Sequence, residues 1–332
     1  MRFIISALNT LILSPSKDEQ PPSGGRPMIG ALLLLLLLTG PAWAGDYALA
    51  PERIADGVYV LWGRQELMTA DNGANICNTA FIVGADSVLV VDAGPSAAYA
   101  EQFLAAIARV TDKPVSHVVI THHHQDHAFG LGAFNARGAR TLMSPNAAAL
   151  LQRDGAALLT MTANRVGADW MAGTALARPT DLIPAPRVID LGGRLVHVRP
   201  LEYGHTPGDL MVMDGATGTL LAGDLVFIER AATVPHADIP TWLGHIDTIA
   251  ALDWRRLVPG HGPLITDRAR LDPLRDYLSY LDEVSRASHA RGDSPAETLM
   301  EPLPARFAPL AVIEREFQRS ILSLFAKYDR GG

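Results

Sequence analysis

The 332-residue chain carries 35 acidic against 28 basic side chains, a net charge of −7, and 48% of its residues are hydrophobic. That composition suffices to bury a substantial core in one large domain or two smaller ones, and the acidic balance provides no basic footprint for nucleic acid. Cys77 is the single cysteine. It excludes an intramolecular disulfide and reads either as a packed small hydrophobe or as a reactive thiol.

The predicted elements begin with an export signal. Met28–Ala31 leads into Leu32–Leu38 and then Thr39-Gly40-Pro41-Ala42-Trp43-Ala44. An apolar run of this length ending in Ala-x-Ala reads as a Sec-type signal peptide cleaved after Ala44, and it is too short to span a membrane. The expectation is a periplasmic or secreted chain with no membrane span after cleavage. Residues 1–27 combine a weakly apolar start with a polar Pro/Gly/Ser run, so Met28 is read as an alternative translation start.

Val58–Trp62, Thr79–Val83 and Val88–Val91 read as strands, the last two joined by the short turn Gly84-Ala85-Asp86. Asp92-Ala93-Gly94-Pro95 closes the third, and Ser96 is positioned to cap a helix over Ala97–Val110, where Phe103, Leu104, Ile107 and Val110 recur at helical spacing. Val115–Ile120 is an apolar strand that runs directly into Thr121-His122-His123-His124-Gln125-Asp126-His127. Four imidazoles and a carboxylate so close together read as a metal site, because neutral imidazole with a carboxylate suits zinc and its neighbours. Asp92 has two readings, as a turn cap or as a hydrogen-bond partner that orients a ligating histidine.

Ala139–Met143 is a further strand, and Ser144-Pro145 opens a helix leading to Ala147–Leu159. Residues 160–187 show no clear period and read either as cover for the site or as a packed connector. Val188–Leu191 and Arg194–Arg199 form a hairpin on Gly192-Gly193, and Leu210–Met213 with Thr219–Ala222 form another pair. His117 and His197 lie within strands and are read as packed or surface residues. Three turns then present chemistry from strand ends: His205 in Gly204-His205-Thr206-Pro207-Gly208, Asp224 after Gly223, and His261 in Pro259-Gly260-His261-Gly262. Between them, Leu225–Pro240 holds Arg230, His236 and Asp238, candidates for substrate contact as well as ordinary loop residues. A helix from Trp242 to Leu252 follows, then helical periods over 271–290 and from Ile313 to Phe325 that read as core packing or as a partner-binding stripe. Trp62, Trp170 and Trp242 read as core residues or pocket walls.

His-x-His-x-Asp-His at 122–127, followed by the Gly-His-Thr, Gly-Asp and Gly-His-Gly turns, resembles the metallo-β-lactamase-fold hydrolases over roughly residues 52–265. The resemblance implies an α/β fold, a four-layer αββα sandwich with a C-terminal helical extension, dividing the chain into a signal segment (1–44), the sandwich (45–270) and the extension (271–332). It implies that His122, His124 and His205 hold a first metal, that Asp126, His127 and His261 hold a second, and that Asp224 bridges them, with Asp126 and Asp224 as catalytic carboxylates. It further implies two zinc ions, with one iron as the alternative, and hydrolysis of a small ester, thioester or lactone, since two divalent ions sharing Asp224 lower the pKa of a water held between them from about 15.7 towards about 7.

The β-lactamases proper generally carry Cys or Ser at the bridging position, so β-lactam hydrolysis stands as an alternative, as does persulfide oxidation at one iron. The export signal together with Pro51–Ile54, Asp92–Pro95, Gly204–Leu210 and Pro235–Pro240 is similar to the periplasmic quinoprotein relay system zinc metallohydrolases, relatives of a sulfur-oxidation-cluster hydrolase. That likeness implies a small-molecule substrate, periplasmic quinoproteins as partners, and a non-catalytic quinoprotein maturation or binding factor as a further alternative.

Overall fold

A computed structural model of the chain describes residues 45–330; the expected signal peptide and alternative start lie outside the described residues. In chain order the strands and helices are β1 Glu52–Ala55, β2 Val58–Leu61, β3 Thr79–Val83, β4 Val88–Val91, α1 Ala97–Ala108, β5 Val115–Val119, α2 Gln125–Ala128, α3 Leu131–Ala136, β6 Arg140–Met143, α4 Pro145–Val166, β7 Asp181–Leu182, β8 Arg187–Asp190, β9 Leu195–Pro200, β10 Leu210–Asp214, β11 Thr219–Leu221, α5 Ile239–Ala251, β12 Arg256–Val258, α6 Asp272–Arg291, α7 Pro295–Met300 and α8 Ile313–Tyr328. None of the helices among the described residues is long and apolar enough to cross a membrane.

Strands β1 to β7 form one sheet in sequence order, and β12-β11-β10-β9-β8 form the second. The first is antiparallel up to β4 and parallel from β4 to β7. In the second, β11 and β12 alone run parallel. Successive side chains of a strand point to opposite faces, and the core divides accordingly. Val58, Val60, Ala80, Ile82, Leu89, Val91, Val119 and Leu142 meet Ile189, Val196, Val198, Leu210, Val212, Leu221 and Val258 between the sheets. The alternate residues Leu61, Phe81, Val88, Val90, Val118 and Met143 pack outward with Phe103, Ile107, Phe134 and Leu151 of α1, α3 and α4. Across the second sheet, Met211, Leu220 and Leu257 pack against Trp242, Leu278, Leu281, Ile321 and Phe325 of α5, α6 and α8. Strands buried on both faces explain the continuous apolar runs of the sequence. The result is the four-layer helix–sheet–sheet–helix arrangement.

Several boundaries differ from the sequence expectation. Helix α4 continues seven residues beyond Leu159, and Gly167, at φ 99°, then breaks it. The aperiodic 160–187 segment is thus in part the last turns of a helix that also carries polar side chains towards a cavity. Helix α5 starts at Ile239 because the Asp238 side chain accepts from the Thr241 amide, a capping arrangement.

The two sheets are also clamped by one side chain at the β8–β9 turn. Arg194 donates to Asp214 at 2.9 and 2.7 Å in the second sheet and to the Val83 and Asp56 carbonyls in the first. The Asp214 side chain is fully buried, and although burial raises its pKa, the bonds from Arg194 and Thr217 outweigh that and leave it below the usual carboxylate range. Removing the guanidinium leaves a buried carboxylate half satisfied, so Arg194→Ala lowers the unfolding free energy by about 3 kcal/mol in a denaturant titration. Because the folded pKa is depressed, the difference between wild type and variant is full above about pH 4 and shrinks as pH falls.

Candidate metal centre

Parallel β4 and β5 end side by side, as do parallel β11 and β12. Their carboxyl ends, with the loop entering β10, put every ligating residue expected from the sequence on one rim of the sandwich. The Leu210 amide donates to the Thr121 carbonyl at 2.7 Å, tying the two sheets together at that rim.

Two donor sets converge there. In the first, His124 Nδ1 lies 3.0 Å from both His122 Nε2 and His205 Nε2, while Asp224 Oδ2 lies 3.7 and 3.3 Å from those two nitrogens. In the second, Asp224 Oδ1 lies 3.2 Å from His127 Nε2 and 3.4 Å from His261 Nε2, and Asp126 Oδ2 lies 3.7 and 3.4 Å from the same atoms. An ion about 2.0–2.1 Å from four tetrahedral ligands sets those ligands about 3.3–3.4 Å apart. Both sets therefore have the size of a metal cage, and the two oxygens of Asp224 face one set each.

Hydrogen bonds on the far side of the rings fix the tautomers. His127 Nδ1 donates to Asp92 Oδ2 at 2.8 Å, and His261 Nδ1 donates to the Ile76 carbonyl at 2.7 Å. His122 Nδ1 lies 3.1 Å from Thr121 Oγ1, which itself donates to Asp92. In each case the proton sits on Nδ1 and Nε2 keeps its lone pair for the cage, the arrangement in which an outer carboxylate or carbonyl aims a ligating imidazole. Asp92, in left-handed backbone at φ 62°, serves two of these rings through one carboxylate. His205 is held by its neighbours, with its ring edge-on to Trp242 at 5.3 Å.

Electrostatics points the same way. Burial pushes His122 and His124 well below the usual imidazole range and His205 down to about 3, so all three are neutral, the ligating form. At His127, burial lowers the pKa but is outweighed by Cys77 and the carboxylates of Asp224, Asp92 and Asp126, which raise it. The second set thus sits in a field that calls for positive charge. His127 Nε2 and Asp224 Oδ1 are fully buried with no hydrogen-bond partner, an arrangement a cation relieves. The residues fit a divalent metal in both sets.

A cavity of about 400 Å³ opens onto the rim. His124, Asp126, Asp224 and His261 form its floor, and Leu67, Met68, Leu158 and Met161 an apolar wall. His236, expected as a substrate contact, lines this cavity and also lies 2.9 Å from His124 through its Nδ1. With His124 turned to the cage through Nδ1, its Nε2–H donates to His236, which burial and Arg319 keep neutral. Arg230 lines the cavity too, only 4% exposed, with Nη1 donating to the Glu66 carbonyl at 2.8 Å. Asp238 is corrected: it is not among the lining residues, because its carboxylate is used as the α5 cap and in an ion pair with Lys327 at 3.2 Å. Sequence reasoning missed Arg165 of α4 and Arg315, Glu316 and Arg319 of α8, all of which border the cavity. The available signal was an amphipathic helix with a charged face, which does not by itself name a site.

Cys77 is buried, and its thiol donates to the Asp126 carbonyl at 2.9 Å, so it packs beneath the second set. Gly260 is required by close approach. A Cβ there would stand 1.9 Å from Asp224 Oδ1 and 2.7 Å from the Gly223 carbonyl carbon, so Gly260→Ala forces the shared carboxylate out of place. Elemental analysis of that variant is expected to find metal per chain reduced by about half or more. Asp92→Asn, which weakens the support of two rings, is expected to lower metal affinity by about 10- to 100-fold in a chelator competition.

The family model of the Metallo-beta-lactamase superfamily matches residues 72–261, more than half of the chain and the stretch containing all seven cage residues. A curated relative, the Linear primary-alkylsulfatase of Pseudomonas sp. (strain ATCC 19151), is 21% identical, with 71% of this chain and 52% of that protein covered. The chain therefore spans about half the length of the curated relative it matches. Among solved structures, a metallo-beta-lactamase from Pontibacter korlensis superposes with a TM-score of 0.57 at 20% identity, covering 70% of this chain and 99% of that one. A metallo-beta-lactamase from Erythrobacter litoralis superposes at 0.53 and 19%, covering 69% and 96%. The matched segment, the two-sheet sandwich and the paired donor sets agree: the chain belongs to the Metallo-beta-lactamase superfamily.

Proposed function

We propose that the protein is a dinuclear zinc hydrolase that adds water across the ester, thioester or lactone bond of a small molecule. The observation that carries this reading is the sharing of Asp224: one carboxylate offers one oxygen to each of two complete donor sets. His122, His124 and His205 would hold one ion, and Asp126, His127 and His261 the other. Metal ions bound there supply Lewis acidity and a water acidic enough to attack near neutral pH.

The chain's own contribution is positioning. Asp92, Thr121 and the Ile76 carbonyl hold three rings in the ligating tautomer, and His236 does the same for His124. The Leu67, Met68, Leu158 and Met161 wall desolvates one side of the cavity, which strengthens every charge interaction on its floor. Water supplies the new bond to the acyl carbon, and the alcohol or thiol leaves with a proton.

A second reading, hydrolysis of a sulfuric ester, is favoured by the similarity to an alkylsulfatase and by the arginines around the cavity. The setting is proposed from the sequence alone: the export signal supports a periplasmic or secreted location, and the resemblance of the turn motifs to those of quinoprotein relay hydrolases supports a quinoprotein-linked pathway.

Purified protein is expected to contain about two zinc ions per chain and to hydrolyse an ester, thioester or lactone from a series that also includes an alkyl sulfate and a β-lactam, with turnover abolished by chelation and restored by zinc. His122→Ala, which removes a ligand buried among the others, is expected to lower kcat/KM by at least about a thousandfold. One iron per chain with persulfide oxidation, β-lactam turnover alone, or tight quinoprotein binding without turnover would each replace the proposal by the corresponding alternative.

A further inference from the structure

The cavity has a charge pattern that its metal ligands do not account for. Apart from Asp126 and Asp224, its charged lining is Arg165, Arg230, Arg315, Arg319 and the single carboxylate Glu316. Glu316 is already engaged: it accepts from Thr233 Oγ1 at 3.0 Å and lies 3.7 Å from Arg319 Nη1. Among the described residues, Arg165, Arg230 and Arg315 have no carboxylate within ion-pair distance. Arg230 is the informative one, being 4% exposed with its Nε buried and without a hydrogen-bond partner. Asp126, Glu316 and Asp224 act on it only from beyond ion-pair distance; a buried guanidinium without a contacting counter-ion is costly, and a ligand anion in the adjoining cavity would supply that contact.

The rim arginines come from outside the family-matched segment. Residues 72–261 end well before α8, yet α8 is locked to the site: the Ala231 amide donates to the Ala311 carbonyl at 3.1 Å, the Ala311 amide to the Glu229 carbonyl at 2.9 Å, and Thr233 to Glu316. The C-terminal helix is therefore fixed against the loop that carries Arg230.

We propose that this site selects an amphiphilic organic anion, whose acid group is held by Arg230 with Arg315 and Arg319 of α8 at the rim, while its apolar part lies along Leu67, Met68, Leu158 and Met161. This rests on the hydrolase reading and assigns its substrate class. The acid group is either a carboxylate remote from the scissile ester or the scissile sulfate itself, since a guanidinium recognises both oxyanions in the same way.

The test compares kcat/KM of the metal-loaded full chain for p-nitrophenyl hexanoate, mono-p-nitrophenyl adipate and hexyl sulfate. An anionic member is expected to exceed the neutral ester by about tenfold or more, and the preference is expected to collapse in Arg230→Gln and to weaken in Arg319→Gln, which sits at the more exposed rim, with Arg230→Lys intermediate. Preference for the adipate ester places the anion away from the scissile bond, and preference for hexyl sulfate places it at that bond. Equal turnover of neutral and anionic members, or a preference unmoved by both substitutions to Gln, overturns the proposal. If none is turned over, hydrolysis of an ester fails as the reading, and calorimetry with adipate and hexyl sulfate decides the anion site separately. Binding lost in Arg230→Gln upholds it, and no binding to wild type refutes it.

Discussion

The constraint on which the structure depends is the burial of one carboxylate between two sets of imidazoles. Asp224 is 4% exposed and stands at the end of β11, where the parallel neighbour β12 delivers His261 alongside it. Gly223 and Gly260 have no side chain there because the carboxylate and Thr121 already fill that space. A buried, unpaired carboxylate is among the costliest features a fold can carry, so the rest of the rim is built to receive its charge through a bound cation. The outward hydrogen bonds of His122, His127 and His261 serve the same end, since each reserves one nitrogen for the interior.

Most of this was legible in the sequence because the chemistry is local. The heptad, the three Gly-flanked turns and Asp92 could each be read from their neighbours, and the strands announced themselves by apolar runs that the double burial of both sheets then explained. What the sequence concealed is tertiary. Asp238 lies close in sequence to the ligands but is taken up by the start of α5, so proximity along the chain was a poor guide to proximity in space. Glu316 and Arg319 lie more than fifty positions beyond His261, yet they border the same cavity. A charged stripe on an amphipathic helix reads as solvent-facing until the fold shows what it faces.

The strand ends and the cavity walls thus divide the work differently. The family-matched core fixes the metal-binding residues with strand ends and backbone carbonyls, which leave little room for variation. The cavity walls come from α4, α8 and the loop after Asp224, elements that supply no metal-binding residue, although His236 of that loop supports His124. Such a division lets one scaffold keep its reaction class while its selectivity moves.

The contact between Asn78 and the β12 loop has a consequence for how the protein is made. Asn78 donates to the Pro259 and Gly262 carbonyls, 181 and 184 positions away, and thereby sets the backbone of the His261 turn. Contacts so remote in sequence form slowly, since a long loop must close before they contribute. The His261 turn is therefore assembled only when the segment entering β3 has met the segment that follows β12. A chain truncated before β12 lacks the final ligand as well as the peptide that Asn78 holds, so full metal loading is a property of the finished fold and cannot guide its early steps.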